Sequence, residues 1–453
     1  MHYARGTRPV LFRNRFDQLP ECTYPDLAMQ PSVTPLLVFV VCYGLFVLLP
    51  RRRALVACAG GAALVLLGAL GWREALFGLV QWNVIGLFFG TLILAELFLQ
   101  SRMPAVIAER LVDRAKTARA ALLTVCGISA FLSMFVENVA VVMLLAPVAF
   151  SLADKLQIPP ARLLIAIAVC SNLEGTATLI GDPPSMILAG YMGMTFNDFF
   201  VYQGRPGIFF AVQIGAVAGF GVLAYVFRSH RAPVALIRVE RVRSWIPTVL
   251  IAALILGLSA TTYFDPEFRW LAGTLTLVLA AAGLAWYRLR GSWRTVFHMT
   301  RRLDWDTTLF LVGVFVVVGA LSESGWLSRA ADWISGHTGS HVFGAFALIV
   351  VLAVLLSGFV DNVPFLIAMI PITRQVADHL QMPVPLLMFG LLVGACLGGN
   401  ITPIGASANL AAVGLLRKRG AVVTFREFMA VGVPFTAAAV VSAAAFIWVV
   451  WHP

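Results

Sequence analysis

From residue 33 to its last few positions the chain runs through stretches of about 20 apolar residues, separated by short polar loops. A helix of that length crosses the ~30 Å hydrocarbon core of a bilayer and satisfies its own backbone hydrogen bonds there. The chain is 60% hydrophobic and 12% charged, where a soluble protein carries about 25% charged residues. So few charges cannot cover a water-facing surface. That excludes a soluble enzyme, a disordered chain and a nucleic-acid binder. The remaining class is an all-α polytopic membrane protein.

Full spans are expected near 33–50, 54–71, 82–100, 163–190, 206–227, 244–262, 270–287, 307–322, 386–414 and 428–451. Two further apolar stretches, 120–153 and 342–376, are each too long for one helix and are interrupted by a polar tip. They read as re-entrant hairpins. The net charge is +11, and its distribution orients the spans. Loops 51–53, 101–119, 154–162, 228–243, 288–302 and 417–426 hold 24 Lys and Arg, whereas the alternate loops hold only Arg73, Arg205, Arg269 and Arg329. Basic loops stay on the cytoplasmic side, so ten spans and two hairpins are expected in a bacterial-type inner membrane. The Arg-bearing N-terminal tail, 1–32, has no apolar signal segment and falls outside in this scheme; Met29 is an alternative start. The six cysteines are scattered without metal-ligand spacing.

The chain also repeats itself. Residues 133–148 read SMFVENVAVVMLLAPV and residues 357–372 read SGFVDNVPFLIAMIPI, an offset of 224. TLIGDPPS at 178–185 matches TPIGASAN at 402–409 with the same offset. Trp82 and Gly90 match Trp305 and Gly313 at an offset of 223. Five spans and a hairpin per copy turn the second copy over relative to the first. The expected organisation is a tail (1–32), a first inverted repeat (33–228), a basic cytoplasmic linker (229–243) and a second inverted repeat (244–453). Inverted repeats with interrupted helices are a secondary-transporter design, with the site near the midplane.

Acids at membrane depth are costly and mark function. Glu137 and Asp361 stand at the two hairpin tips, each followed by an Asn, Asn138 and Asn362. A carboxylate beside an amide oxygen suits a hard cation such as sodium; capping of the following helix is the alternative role. The first interrupted span offers Ser171, Asn172, Glu174, Thr176, Thr178 and Asp182, with Gly175 and Gly181 as hinges. The second offers Asn400, Thr402, Ser407 and Asn409, with Gly398, Gly399 and Gly405 as hinges and no acid. Glu96 sits near a span end, where an interfacial position is the simpler reading. Arg374 is open to three readings: an anion contact, a partner for Asp378 four residues on, or a side chain snorkelling to the interface.

SMFVENVAVVMLLAP, SNLEGTATLIGDPP, FVDNVPFLIAMIP and GACLGGNITPIGASANL resemble the motifs of the ion transporter superfamily. The likeness covers roughly residues 80–450 and is strongest to arsenite permeases, NhaD-type sodium/proton antiporters and P-protein-like permeases. The resemblance implies an elevator-type homodimer in the lipid bilayer, with sodium sites between each tip and its partner interrupted helix, at Asn138 and Asn362. In the dicarboxylate-carrying branch the tips read Ser-Asn-Thr; Glu137, Asp361, Val139 and Val363 depart from that. A transporter is expected, not an enzyme, with no cofactor beyond a coupling ion, Na+ or H+. Sodium/proton exchange leads. Proton-linked efflux of arsenite or antimonite, and sodium-coupled uptake of a di- or tricarboxylate or sulfate, are the alternatives.

Overall fold

A computed structural model describes residues 33–49, 52–230, 242–290, 293–301, 303–338 and 341–452. The N-terminal tail, Met29 and most of the basic linker lie outside the described residues.

The chain opens with α1 (Val33–Leu48) and α2 (Arg53–Leu66), then a π-helical turn (Glu74–Leu79). The first copy of the repeat follows: α3 (Trp82–Gln100), α4 (Met103–Asp113), the hairpin α5 (Ala118–Ser133) and α6 (Asn138–Leu156), the broken pair α7 (Ala161–Gly175) and α8 (Pro183–Met192), and α9 (Ile208–Val226). Next come α10 (Ile246–Phe264), α11 (Leu271–Arg290) and α12 (Trp293–Thr300). The second copy is α13 (Trp305–Glu323), α14 (Trp326–Thr338), the hairpin α15 (Val342–Ser357) and α16 (Asn362–His379), the broken pair α17 (Val384–Gly398) and α18 (Ser407–Lys418), and α19 (Phe425–Trp451).

Among the described residues eight helical segments are long and apolar enough to cross a membrane: α3, α6, α9, α10, α11, α13, α17 with the turn that follows it, and α19. The count differs from the ten expected spans. α6 is a hairpin arm that is itself of spanning length, whereas α1 and α2 are shorter. The expected span 54–71 ends at Leu66, because Gly68 turns the chain with φ +71° and Ala69 N–H bonds back to Leu64 O at 3.0 Å. The interrupted spans 163–190 and 386–414 are each two helices, as their Gly and Pro content dictates. Two helices not anticipated from sequence, α4 and α14, precede the hairpins at matching places. α4 buries Val106 and Val112 while Arg110 and Asp113 face outward.

The two copies share one order of elements, and two counterpart pairs, α9 with α19 and α3 with α13, pack antiparallel. Trp451, ending α19, donates its indole N–H to Pro206 O just before α9 at 3.3 Å. Along the same pair Gly215 faces Ala439 and Gly219 faces Phe435. Leu79 lies against Gly319, while Phe89 stacks on Trp305 with ring centroids 4.7 Å apart, so α3 and α13 also run in opposite senses. α2 packs on α13 and α11 packs on α3, equivalent positions beside each copy. The centre is formed by α7 and α17. Each is buried over all but one of its 15 residues, so neither shows an apolar stripe and a polar face.

Candidate functional site

Each hairpin turns at its acid because the acid starts the second arm. Glu137 Oε2 accepts from Ala140 N–H at 3.0 Å, and Asp361 Oδ1 accepts from Val363 N–H at 3.1 Å. Those bonds satisfy amides at the helix N-termini that have no partner within the helix. Capping therefore uses one carboxylate oxygen at each tip. The other oxygen of Asp361, Oδ2, accepts from Arg53 Nη1.

Behind the tips the polar groups are bonded to one another. Ser133 donates to Asn138 Oδ1, and its hydroxyl lies 2.8 Å from that of Ser171. In the other copy Ser357 donates to Ala395 O. The Asn362 amide satisfies both its ends when its nitrogen donates to Gly405 O at 3.2 Å and Ala395 O at 3.1 Å. Thr178 donates to Met134 O, and its counterpart Thr402 donates to Gly358 O. These two hydroxyls fasten each broken helix to the hairpin that it faces. Thr176 bonds back to Asn172 O at 3.2 Å, within its own helix. Asn409 Nδ2 donates to Gly399 O and Thr402 O, both at 2.9 Å, and so holds the second break open.

The expected hinge glycines are there for contact. None of Gly175, Gly181, Gly398, Gly399 and Gly405 has a left-handed backbone. A Cβ on Gly181 would meet Gly175 O at 2.5 Å, and one on Gly405 would meet Gly399 O at 2.6 Å. A Cβ on Gly175 would come within 2.5 Å of Asn138 Oδ1. Backbone passes backbone too closely at both breaks for any side chain.

The two halves meet at a cavity of about 50 Å³. Its wall carries the acids Glu137, Asp182, Asp304 and Asp361, the amides of Asn138, Asn172 and Asn362, Ser407, and one base, Arg53. The N-termini of α6, α8, α16 and α18 all open onto it, through Asn138, Pro183, Asn362 and Ser407. Asn172 reaches across the join, donating to Asn400 Oδ1 at 2.7 Å and Asn409 Oδ1 at 3.0 Å. Asn400 returns a bond to Val169 O at 3.2 Å.

The structure thus gathers Glu137, Asn138, Asn172, Asp182, Asp361, Asn362 and Ser407 around one space. Ser171, Thr176, Thr178, Asn400, Thr402 and Asn409 stand behind its wall. Glu174 does not join them. It is buried elsewhere, its Oε2 accepting from Gln213 Nε2 of α9 at 2.7 Å, because its turn of α7 faces α9. Glu96 accepts from Gln100 at 2.8 Å, one turn on, and Arg374 is not in the cavity wall.

Three polar wall residues were missed in the sequence: Arg53, Asp304 and Thr307. Arg53 is the last of three consecutive arginines and was counted as a loop charge. Asp304 caps α13, with Oδ1 accepting from Thr307 N–H at 2.9 Å. Its position one residue before Trp305, the start of the repeated span, is the signal that was available.

The citrate transporter family profile matches residues 43–371 and again 275–452. An uncharacterised transporter of Mycobacterium tuberculosis is 30% identical over 428 residues, covering 92% of this chain and 98% of that protein. The human P protein is 26% identical over 485 residues, covering 86% of this chain and 57% of its own length. Among solved structures, the Alcanivorax borkumensis YdaH transporter superposes with a TM-score of 0.58 at 17% identity, over 92% of this chain and 98% of that one. Neisseria gonorrhoeae MtrF gives 0.57 at 11% identity, over 94% and 96%. These likenesses join the spanning helices, the doubled hairpin and the shared cavity in one conclusion: the chain is an integral, multi-pass membrane transporter of the citrate transporter family.

Proposed function

We propose that the protein is a secondary active transporter exchanging a monovalent cation, sodium first among them, for protons. The observation that carries this is the charge around the cavity. Four acids line it, against one guanidinium. Each helix N-terminus adds about half a positive charge, so four of them and Arg53 offset about three of the four carboxylates. About one negative charge is left, enough for one monovalent cation or one proton. Carboxylate and amide oxygens are the donors that such an ion takes. The cavity has room for an ion together with water.

Glu137 and Asp361 exchange cation and proton at their uncapped oxygens, with Asn138 and Asn362 beside them. Transit with the charge unbalanced is blocked, because a bare carboxylate in a low-dielectric barrier costs several kcal/mol. The antiparallel counterpart helices support two inverted repeats, 33–228 and 244–453. The hairpins and broken helices, fastened by Thr178 and Thr402, form the part that moves in an elevator fashion, in a homodimer.

Arg53 favours a second reading. It lines the cavity beside the N-terminus of α18, where Ala406 stands in place of an acid. An arginine next to an uncapped helix N-terminus suits a carboxylate anion, and citrate agrees with the family's description. Thermal unfolding of purified protein separates the two. Stabilisation by sodium or lithium that is lost in Asp361→Asn supports the first reading. Stabilisation by citrate and not by sodium supports the second.

A further inference from the structure

We propose that Arg53 is a tethered competitor for the transported cation: its guanidinium occupies Asp361 when no cation is bound and yields that carboxylate when one arrives. The inference rests on the cation reading above.

Arg53 begins α2, which packs on α13, and most of its contacts are to α13. Its Nε donates to Asp306 Oδ2 at 3.2 Å, and its Nη2 donates to Thr307 Oγ1 at 2.7 Å. The guanidinium carbon lies 5.1 Å from the centre of the Phe310 ring. Thr307 Oγ1 in turn donates to Asp304 Oδ2 at 2.5 Å. One arm alone, Nη1, crosses to the hairpin tip and donates to Asp361 Oδ2. The group can therefore release the tip and keep its other three attachments. A planar fork with five donors allows this division of labour; a lysine ammonium does not.

Competition follows from geometry. Asp361 Oδ1 already accepts the Val363 amide, so Oδ2 is the oxygen left for a cation, and Nη1 holds it. Charge balances at each exchange, since one positive charge replaces another at the carboxylate. Asp306 and Asp304 remain to neutralise the displaced guanidinium.

Among the described residues the device is present on one side only. At the matching junction of the first copy, α11 packs on α3, and the gap is bridged by Asn83. Its Oδ1 accepts from Gly273 N–H and its Nδ2 donates to Phe268 O, both at 2.7 Å. Among the described residues Arg53 makes no hydrogen bond to Glu137. The two tips, alike in sequence, thus differ in what a cation must displace.

The test is a sodium and lithium titration of wild type, Arg53→Gln, Arg53→Lys and Asp361→Asn, read by thermal unfolding of the purified protein. The half-saturating cation concentration should fall about tenfold in Arg53→Gln, the worth of one charge-assisted hydrogen bond. Arg53→Lys should show a smaller fall, because one ammonium cannot serve Asp306, Thr307 and Asp361 at once; it also serves if Arg53→Gln does not fold. An unchanged or raised half-saturation in both variants, with the response still dependent on Asp361, overturns the proposal and leaves the cation site standing. A response equal in wild type and Asp361→Asn, or no response to either cation, overturns the cation reading itself. Stabilisation by citrate that disappears in Arg53→Gln makes Arg53 an anion contact and also overturns the proposal.

Discussion

Asn172 in the first copy donates to Asn400 in the second across 2.7 Å, and both side chains are buried. This bond ties the two broken helices together beside the cavity. The same amide serves Asn409 at 3.0 Å. Replacing Asn172 with Leu strands two acceptors where water is scarce, at about 1–3 kcal/mol each. Asn172→Leu should therefore unfold about 2–6 kcal/mol more easily in detergent by that estimate. Ser442→Ala is the control. Its hydroxyl only bonds back within α19, to Ala438 O and Ala439 O, so it should stay within about 0.5 kcal/mol of wild type.

Glycines at the breaks can be tested against a glycine with space around it. Gly181→Ala sets a methyl 2.5 Å from Gly175 O and 2.7 Å from Ser133 O, both backbone atoms. It should destabilise by about 1–3 kcal/mol, as overpacking does. Gly414 in α18 has nothing within 4 Å of its would-be Cβ. Gly414→Ala should be neutral or gain up to about 1 kcal/mol from helix propensity. Equal effects at the two positions would contradict the close-contact account of the breaks.

Asp265, in the turn between α10 and α11, gives a pH test away from the cavity. Burial alone would raise its carboxyl. The amides of Trp270, Leu271 and Arg269, each donating at 2.9 Å, with the Arg269 charge, hold it below its ordinary value instead. A lowered folded-state value contributes stability above the unfolded value, about 3.9, and that stability is lost as pH falls through the folded value. Asp265→Ala should be less stable than wild type at pH 7. The two should converge on acidification below about pH 4, in thermal unfolding scans against pH.

Much of the site was legible because it is written twice. SMFVENV and SGFVDNV, 224 residues apart, located both tips, and the Gly-rich segments located both breaks. The structure places those residues together around one cavity and its wall. Arg53 was hidden by company: three arginines in a row between two apolar stretches have the appearance of an orientation signal, and only packing of α2 on α13 brings one of them to Asp361. Glu174 misled for the opposite reason. An acid in a broken span has the same appearance whether it faces a cavity, as Asp182 does, or a neighbouring helix, and the partner of Glu174, Gln213, is 39 residues on. Short amphipathic α4 and α14 were lost among loop charges.

The tip acids can lose their charge and keep their structural role. Asparagine caps helices as well as aspartate does, so Asp361→Asn retains an oxygen for Val363 N–H. Asp361→Asn also gives up the charged bond to Arg53, so it should lose about 1–3 kcal/mol, whereas Glu137→Gln should change stability by about 1 kcal/mol.

The most direct measurement is sodium-driven proton movement in proteoliposomes, followed with an internal pH dye. Wild type should acidify or alkalinise the lumen according to the direction of the sodium gradient, and Asp361→Asn and Glu137→Gln, folded as judged by unfolding temperature, should lose that flux. Wild-type flux in either folded variant would contradict the assignment of cation and proton to the hairpin-tip acids.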